Sequence, residues 1–520
     1  MAKNNPEIDK IMDAEIRLCK SQGIMQKRTI AKILMAKYPD IFTDLENTRC
    51  MVRTRTGSHK NKGSLYSDLT DDFKNVEEVP NAYEVAKTKK TKQSKFYIVT
   101  CAVNNTPIHR NFWDNLLTYS QFLNAELHVI ASRYKNPTSI FNESAEVWAE
   151  EVMPYLDANR HDIHKTISIM SDIKIQPTAE MPLIGLEGIS GNKSCIIGHP
   201  RVHMTYLPVP KRSNNKVMFT TGACTLANYT DSKAGKKGEF HHTFGFVLVE
   251  IKDEENAIIR YVTAKEDGSF IDLLNEVKDG KVTKADRPKA IILGDLHIAK
   301  LTKESLIRIN EIISLFKPEV LILHDVFDGE SINPHEEKNP ILKFKRLNNT
   351  LRAELDECIE IISYLSGQVN ECVIVASNHD RFLDRYISTQ DWKKDLINAS
   401  TYIELTQMAM TSDKSLIQQI IEKHLPKVKC LDIDESYIVE DIECGSHGDI
   451  GANGSKGGAL QFKRLSTKLI TGHTHTPSRL DGHLVVGCQD LDHGYNKGLS
   501  SWGIADVIIN ANGKTQHLLF

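Results

Sequence analysis

The sequence predicts an α/β protein, and three observations carry that expectation. Short apolar runs rich in β-branched residues alternate with stretches of helical periodicity, the order that builds a parallel sheet. In the C-terminal half, five of these runs lead straight into Asp, Asn or His, and the carboxyl ends of strands are where an open α/β sheet holds its site. Near the C-terminus, runs 506–510 and 515–520 flank Asn512-Gly513, a two-residue hairpin signal.

The 520 residues, 40% hydrophobic and 26% charged, suit about two to four domains with a sizeable core. A formal net charge of −3 gives no global signal for nucleic acid, so any such contact must come from local patches. Ten cysteines with no C-x-x-C pair, and a start MAKNNPEIDK with no apolar run, predict reduced thiols in a cytoplasmic setting. No apolar stretch approaches spanning length, so no membrane partner is expected.

Residues 1–63 read as a small helical module. Residues 8–19 and 27–37 carry apolar residues at helical spacing, and Tyr38-Pro39-Asp40 ends the second helix. A third helix over 45–53 presents Arg49, Arg53 and Arg55, followed by Gly57, His59, Lys60 and Lys62. Such a trio resembles a helix-turn-helix module whose arginines would sit on DNA phosphates; a solvated basic face on a helical bundle is the competing reading. Residues 64–94 read as a charged linker, acidic over 68–78 and then lysine-rich at Lys87, Lys89, Lys90 and Lys92.

Residues 95–285 read as a second α/β domain of unassigned role. The expected order is strand 96–103, a turn at Asn104-Asn105, helix 112–123 and strand 127–132, with further strands at 194–197, 216–220 and 243–251. There is no glycine-rich phosphate fingerprint. His199, His203, His241 and His242 fit no ligand spacing and read as structural or substrate-lining.

Residues 286–520 carry the chemistry. Run 290–293 opens through Gly294 into Asp295 and His297, which at i, i+2 can offer an oxygen and a nitrogen to one Mn, Fe or Zn ion. After a helix at 302–316, run 320–323 ends in His324-Asp325-Val326-Phe327-Asp328. Run 372–376 ends in Ser377-Asn378-His379-Asp380, run 437–444 in Gly445-Ser446-His447-Gly448-Asp449, and run 468–470 in Thr471-Gly472-His473-Thr474-His475. Accident would have to place a metal-binding side chain after every strand. Between the third and fourth motifs, helices are expected at 394–410 and 415–424, and Arg381, Arg385, Trp392, Lys393 and Lys394 are placed to line a substrate path; a helical cap with a charged outer face competes. Residues 487–490 and 502–520 read as closing strands.

The order Asp-x-His, Asp-x-x-Asp, Asn-His-Asp, His, Gly-His-x-His resembles the signature of the calcineurin-like metallophosphoesterases over residues 288–520. The resemblance implies two packed sheets flanked by helices, a first metal on Asp295, His297 and His475, a second on Asn378, His447 and His473, and Asp325 bridging both. His379 would be the acid beside the scissile phosphate. Two divalent cations are the implied cofactors, Mn²⁺ first, with Zn²⁺ or Fe as alternatives. A pair roughly 3.5–4 Å apart can hold a phosphate, neutralise its charge and activate water. This chain departs from the pattern at His324 and Ser377, where the family usually has Gly; neither change removes a ligand.

The overall plan also looks like Mre-type and phage-encoded DNA-degrading nucleases. That resemblance implies a phage-encoded nuclease acting on DNA in the host cytoplasm, exonuclease first with endonuclease action left open; a homo-oligomer is a further expectation. The basic N-terminal helices and lysine-rich linker tilt the substrate toward DNA. A phosphatase acting on nucleotides or phosphoproteins is the competing enzyme reading. A DNA-binding or assembly protein with a vestigial site is the non-enzyme reading, and the intact ligand set argues against it.

Overall fold

The computed structural model describes residues 6–21, 27–56, 93–134, 147–210, 214–333, 350–462, 467–494 and 496–520, together with Ala86, Ile341 and Leu465. Most of the expected linker, and with it Gly57, His59, Lys60 and Lys62, lies outside the described residues. The chain divides into two compact units. One comprises Met1–His203, Met218–Ile271 and Asn275–Thr283; the other comprises Met204–Val217, Asp272–Leu274 and Lys284–Phe520. The N-terminal helices, expected as a module apart, fall in the same unit as the first α/β region.

In the first unit, helices α1 (Pro6–Ser21), α2 (Lys27–Lys37) and α3 (Leu45–Arg55) bury Met12, Ile16, Ile30, Ile33, Leu34 and Val52 in one cluster. Asp44 starts α3 by accepting the Asn47 N–H at 2.7 Å, which satisfies one of the donors a helix start leaves unpaired. Downstream come β1 (Phe96–Val103), α4 (Arg110–Leu123), β2 (Glu126–Ser132), β3 (Leu156–Asp157), β4 (Arg160–His164), β5 (Ile167–Met170), β6 (Ser194–Ile197), β7 (Lys216–Thr220), β8 (Gly245–Ile251) and β9 (Ala257–Thr263). One sheet has the order β9-β8-β1-β2-β3, with β1, β2 and β3 parallel. Ile98 and Ala102 of β1 pack with Phe112, Trp113 and Leu116 of α4. Strands β7-β6-β5-β4 pair in a second arrangement, parallel except for β4 at its edge.

The second unit contains β10 (Ala290–Ile292), α5 (Lys303–Phe316), β11 (Val320–Leu323), α6 (Leu351–Ser366), β12 (Glu371–Ile374), α7 (Asp380–Thr389), α8 (Ala399–Ala409), α9 (Leu416–His424), β13 (Lys429–Cys430), β14 (Ile438–Val439), β15 (Ile442–Glu443), β16 (Lys468–Thr471), β17 (Ser478–Leu480), β18 (His483–Val485), β19 (Ala505–Ile509) and β20 (Thr515–Leu519). One sheet runs β13-β12-β11-β10-β19-β20, with β10 to β13 parallel. A second places β14-β15-β16-β18-β17 side by side. Side chains alternate faces along a strand, and the cores follow that alternation. Ala290, Ile292, Ile322 and Val373 meet Val439, Ile442, Ile470 and Leu484 of the other sheet. Ile291, Leu321 and Leu323 point the other way, into a cluster with Ile309 and Ile313 of α5 and Leu355 and Ile362 of α6. Burial on both faces is why these strands read as unbroken apolar runs.

Four local expectations are corrected. Residues 437–444 form a hairpin, β14 antiparallel to β15, turned at Glu440 with φ 56°. The helix expected over 394–410 is a 3-10 turn at Trp392–Lys394 followed by the shorter α8. Residues 487–490 make no strand; Cys488 forms only isolated bridges to Asp295 and Ile504. The β19–β20 turn is longer than a two-residue loop: the Gly513 N–H donates to the Asn510 carbonyl at 2.9 Å with Gly513 at φ 75°, because Asn512 keeps a negative φ that a tight two-residue turn would forbid. All ten cysteines are free thiols, and among the described residues no helix is long and apolar enough to cross a membrane.

Candidate metal centre

Five loops, each leaving the carboxyl end of a buried strand or hairpin, bring together all seven ligands expected from the sequence. Asp295 and His297 follow β10, Asp325 follows β11, Asn378 follows β12, His447 follows β15, and His473 and His475 follow β16. The backbone is bent sharply to do this. His297, Asp325, His473 and His475 all take left-handed conformations, with φ of 44°, 46°, 71° and 54°. Such residues cost about 1–3 kcal/mol each, and they persist where the surrounding structure enforces them. Here the His297 N–H donates to the Asp325 carbonyl at 2.7 Å, and the His473 N–H donates to Asp295 Oδ2 at 2.7 Å.

The side-chain donors fall into two groups that share one atom. In the first, His475 Nε2 lies 3.1 Å from Asp295 Oδ2 and 3.1 Å from His297 Nε2, which is 3.4 Å from Asp325 Oδ2. In the second, His447 Nε2 lies 3.3 Å from the same Asp325 Oδ2 and 3.1 Å from Asn378 Oδ1, which is 2.9 Å from His473 Nδ1. Ligands held at about 2.0–2.2 Å from a common ion stand roughly 3 Å from one another, so both groups have the edge lengths of a coordination shell. The donor chemistry fits as well. Two imidazole nitrogens facing each other at 3.1 Å gain nothing from that contact without a proton or cation between them. Asp295 Oδ1, Asp325 Oδ1 and His475 Nδ1 are buried and have no hydrogen-bond partner. The residues therefore suit two divalent cations sharing Asp325.

Electrostatics point the same way. Burial works against charge on Asp325, yet the imidazoles of His447, His379 and His297 hold its carboxyl well below the usual range. Burial likewise opposes charge on His447, but Asp325 and Asp295 outweigh it and push its pKa up to about 9. The two fully buried carboxylates create a demand for positive charge at this point of the fold.

Several contacts were not assigned from sequence. Asp328 Oδ1 lies 2.9 Å from His297 Nδ1, the carboxylate–imidazole arrangement that orients a metal ligand. The Asp328 carbonyl lies 2.9 Å from His379 Nδ1, so one residue positions both histidines. Burial opposes charge on His379, but Asp325, the Asp328 carbonyl and the Asp328 carboxylate raise its pKa overall. The buried His493 ring packs 4.5 Å from that of His297 and 5.1 Å from that of His475, and Trp502 covers His475 at 4.2 Å. His324 fits at this crowded loop with its ring fully buried and Nδ1 3.4 Å from His447 Nδ1. The Asp-x-x-Asp spacing was the one sequence signal for Asp328; His493 follows no apolar run and gave none.

The proposed substrate contacts are engaged within the protein. Arg381 pairs with Asp449, and Arg385 lies 4.7 Å over the ring of Phe382, which itself packs on His379. Arg49 pairs with Glu46 at 3.0 Å and Asp231 at 3.4 Å. Arg55 pairs with Asp9, and with Asp13 at 2.7 Å. Arg53 acts on Lys27: burial, then the charges of Arg53 and Arg49, lower the pKa of Lys27. As expected, His199 and His242 serve structure: His199 Nε2 lies 3.2 Å from the Gln176 carbonyl, and the His242 ring bridges the Tyr229 hydroxyl at 2.8 Å and the Thr225 carbonyl at 2.7 Å.

No family model matches the chain, and no solved structure matches it. Among curated proteins it is similar to Protein A1 of Escherichia phage T5, with 31% identity over 458 residues covering 81% of each chain. Likeness of that extent, spanning both compact units, places the chain in the family of phage T5 Protein A1.

Proposed function

We propose that this protein is a phage-encoded, metal-dependent phosphodiesterase of the calcineurin-like type that hydrolyses DNA. One observation carries the reading: a single buried oxygen, Asp325 Oδ2, stands 3.4 Å from His297 Nε2 and 3.3 Å from His447 Nε2, where it would serve two ions at once. Asp295, His297 and His475 would complete one shell, and Asn378, His447 and His473 the other. When bound, two divalent cations, Mn²⁺ first, with Zn²⁺ or Fe as alternatives, would supply charge neutralisation for the phosphate and activation of water.

The chain's own residues do the rest. Asp325 fixes the separation of the two shells, and Asp328 locks the His297 ring through Nδ1. The Asp328 carbonyl accepts a hydrogen bond from the Nδ1–H of His379, which leaves Nε2 to carry the exchangeable proton. With its charged form favoured, that imidazole holds a proton to deliver to the departing oxygen. Trp502 and His493 pack over the ligand rings and keep bulk water from that side.

Digestion of linear duplex, covalently closed and single-stranded DNA with added Mn²⁺, beside a phosphomonoester control, tests this. Cleavage of DNA with an inert monoester supports the reading. Rapid hydrolysis of the monoester with all DNA intact would replace it by a phosphatase.

A further inference from the structure

A second cluster of metal-type donors lies in the first unit. On β2, Leu127, Val129 and Ala131 join the apolar core, so strand alternation turns His128 to the opposite face. There the fully buried His128 meets the fully buried Asp157 at the end of β3, with Nδ1 2.9 Å from Oδ2. His161 on the edge strand β4 reaches the same carboxylate, its Nε2 2.9 Å from Oδ1, while the Asn159 N–H donates to that oxygen at 3.0 Å. One ligand atom from each of the three lies within 4.8 Å of the others. On the far side of the His128 ring, the buried Nε2 stands 3.2 Å from Glu126 Oε1 but makes no hydrogen bond.

Charge and proton counting decide what this arrangement can be. A neutral imidazole carries one N–H, yet both nitrogens of His128 face carboxylates. With the proton on Nδ1, His128 donates to Asp157 and its buried Nε2 is left as an unpartnered lone pair beside Glu126; with the proton on Nε2, Nδ1 turns a lone pair on Asp157, a contact that a cation bound by both makes favourable. Two carboxylates and two neutral imidazoles sum to a charge that one divalent cation cancels. His161, with about a tenth of its side chain exposed, gives the only solvent-facing donor of the three.

We propose that His128 Nδ1, Asp157 and His161 Nε2 bind a single divalent transition-metal ion, zinc first, separately from the centre at Asp325. Two imidazoles and a carboxylate match zinc's preferred donors, and three protein ligands leave a fourth position open to water or a small ligand. This gives the first unit a site of its own. It does not rest on the phosphodiesterase reading.

The test uses the full chain, stripped with chelator, reloaded with Zn²⁺ alone and desalted before elemental analysis. His161→Gln is expected to lower bound zinc by one ion per chain, both in the wild type and in an Asp325→Ala background. His161→Cys, which restores a zinc-binding donor, is expected to return it. Loading with Co²⁺ should give the intense visible bands of a four-coordinate ion, lost in His161→Gln while the circular dichroism stays unchanged. Asp157→Asn should also lose the ion, but it sits in the core, so His161→Gln at the sheet edge is the decisive variant. Zinc content and cobalt bands unaffected by His161→Gln would overturn the proposal and leave a hydrogen-bonded network.

Discussion

Gly472 shows how little room the ligand loops have. A Cβ at this position would come within 2.1 Å of Asp295 Oδ1 and 3.3 Å of His447 Nδ1, and both of those side chains are buried. Gly472→Ala is therefore expected to keep its circular dichroism while displacing Asp295, cutting bound metal and activity together; full metal content in the variant would show that Asp295 can move without cost. His379 separates ligand from proton donor. His379→Ala should keep its metal and lose roughly 10²–10⁴-fold in rate, the usual worth of general acid catalysis. Extra Mn²⁺ should not rescue it, and the defect should shrink on a p-nitrophenyl diester, whose leaving group needs little protonation. Rescue by Mn²⁺ would make His379 a ligand.

The candidate ligands were legible as strand-end residues because each closely follows an apolar run, while their grouping around two ions came from the family resemblance. Asp328 had only the Asp-x-x-Asp spacing to mark it, and His493 and the trio His128, Asp157 and His161 had no signal, since their partners come from strands far apart in sequence. His128 and His161 lie on β2 and β4, joined only by the fold.

Among the elements, β19 supports the first ligand loop from below. Asp506 is fully buried; its Oδ1 accepts the Gly294 N–H at 2.8 Å and the Gln489 Nε2–H at 2.6 Å, while Oδ2 has no partner. Burial pushes its pKa up to about 6, against the Gly294 N–H, Arg308 and Gln489. In the unfolded chain an Asp titrates near ~3.9, so between those values the folded protein holds a proton that the unfolded chain has lost. Stability thus falls as pH rises from about 4 to about 6, by ~3 kcal/mol at most. Asp506→Asn keeps the Oδ1 acceptor and removes the charge. Urea denaturation of the chelated protein should find it more stable than wild type at pH 8 and no more stable at pH 4. An equal loss at both pH values would mean the amide cannot be accommodated.

Elements were readable from sequence where burial is two-sided or helical periodicity is long. The strands Phe96–Val103, Ser194–Ile197, Lys216–Thr220 and Val320–Leu323 and the helix Lys27–Lys37 match their expected bounds. The hairpin at Ile438–Glu443 was not readable, because its turn is two acidic residues with neither Gly nor Asn to mark the left-handed step at Glu440.

At the scale of the whole molecule, ion pairs divide the N-terminal arginines into two kinds. Arg55 is tied to Asp9 and Asp13 across the helix trio, whereas the charge of Arg53, like that of Arg49, bears on Lys27. If this face meets DNA, Arg53→Ala should reduce the slope of log affinity against log salt by ~1, the loss of about one phosphate contact. Arg55→Ala should leave that slope alone and cost about 1 kcal/mol in stability. Equal slopes in wild type and Arg53→Ala would return the face to a solvated surface.

The shared oxygen of Asp325 is the centre of the functional reading, and electron paramagnetic resonance of Mn²⁺ reads it most directly. Titrated into the chelated chain, Mn²⁺ should give an exchange-coupled pair signal that grows in step with DNA hydrolysis, and Asp325→Ala should abolish both. An ion held at His128, Asp157 and His161 would add only an uncoupled signal. Full DNA hydrolysis with uncoupled Mn²⁺ throughout, or a coupled pair that cleaves no DNA, would contradict a bridged phosphodiesterase centre.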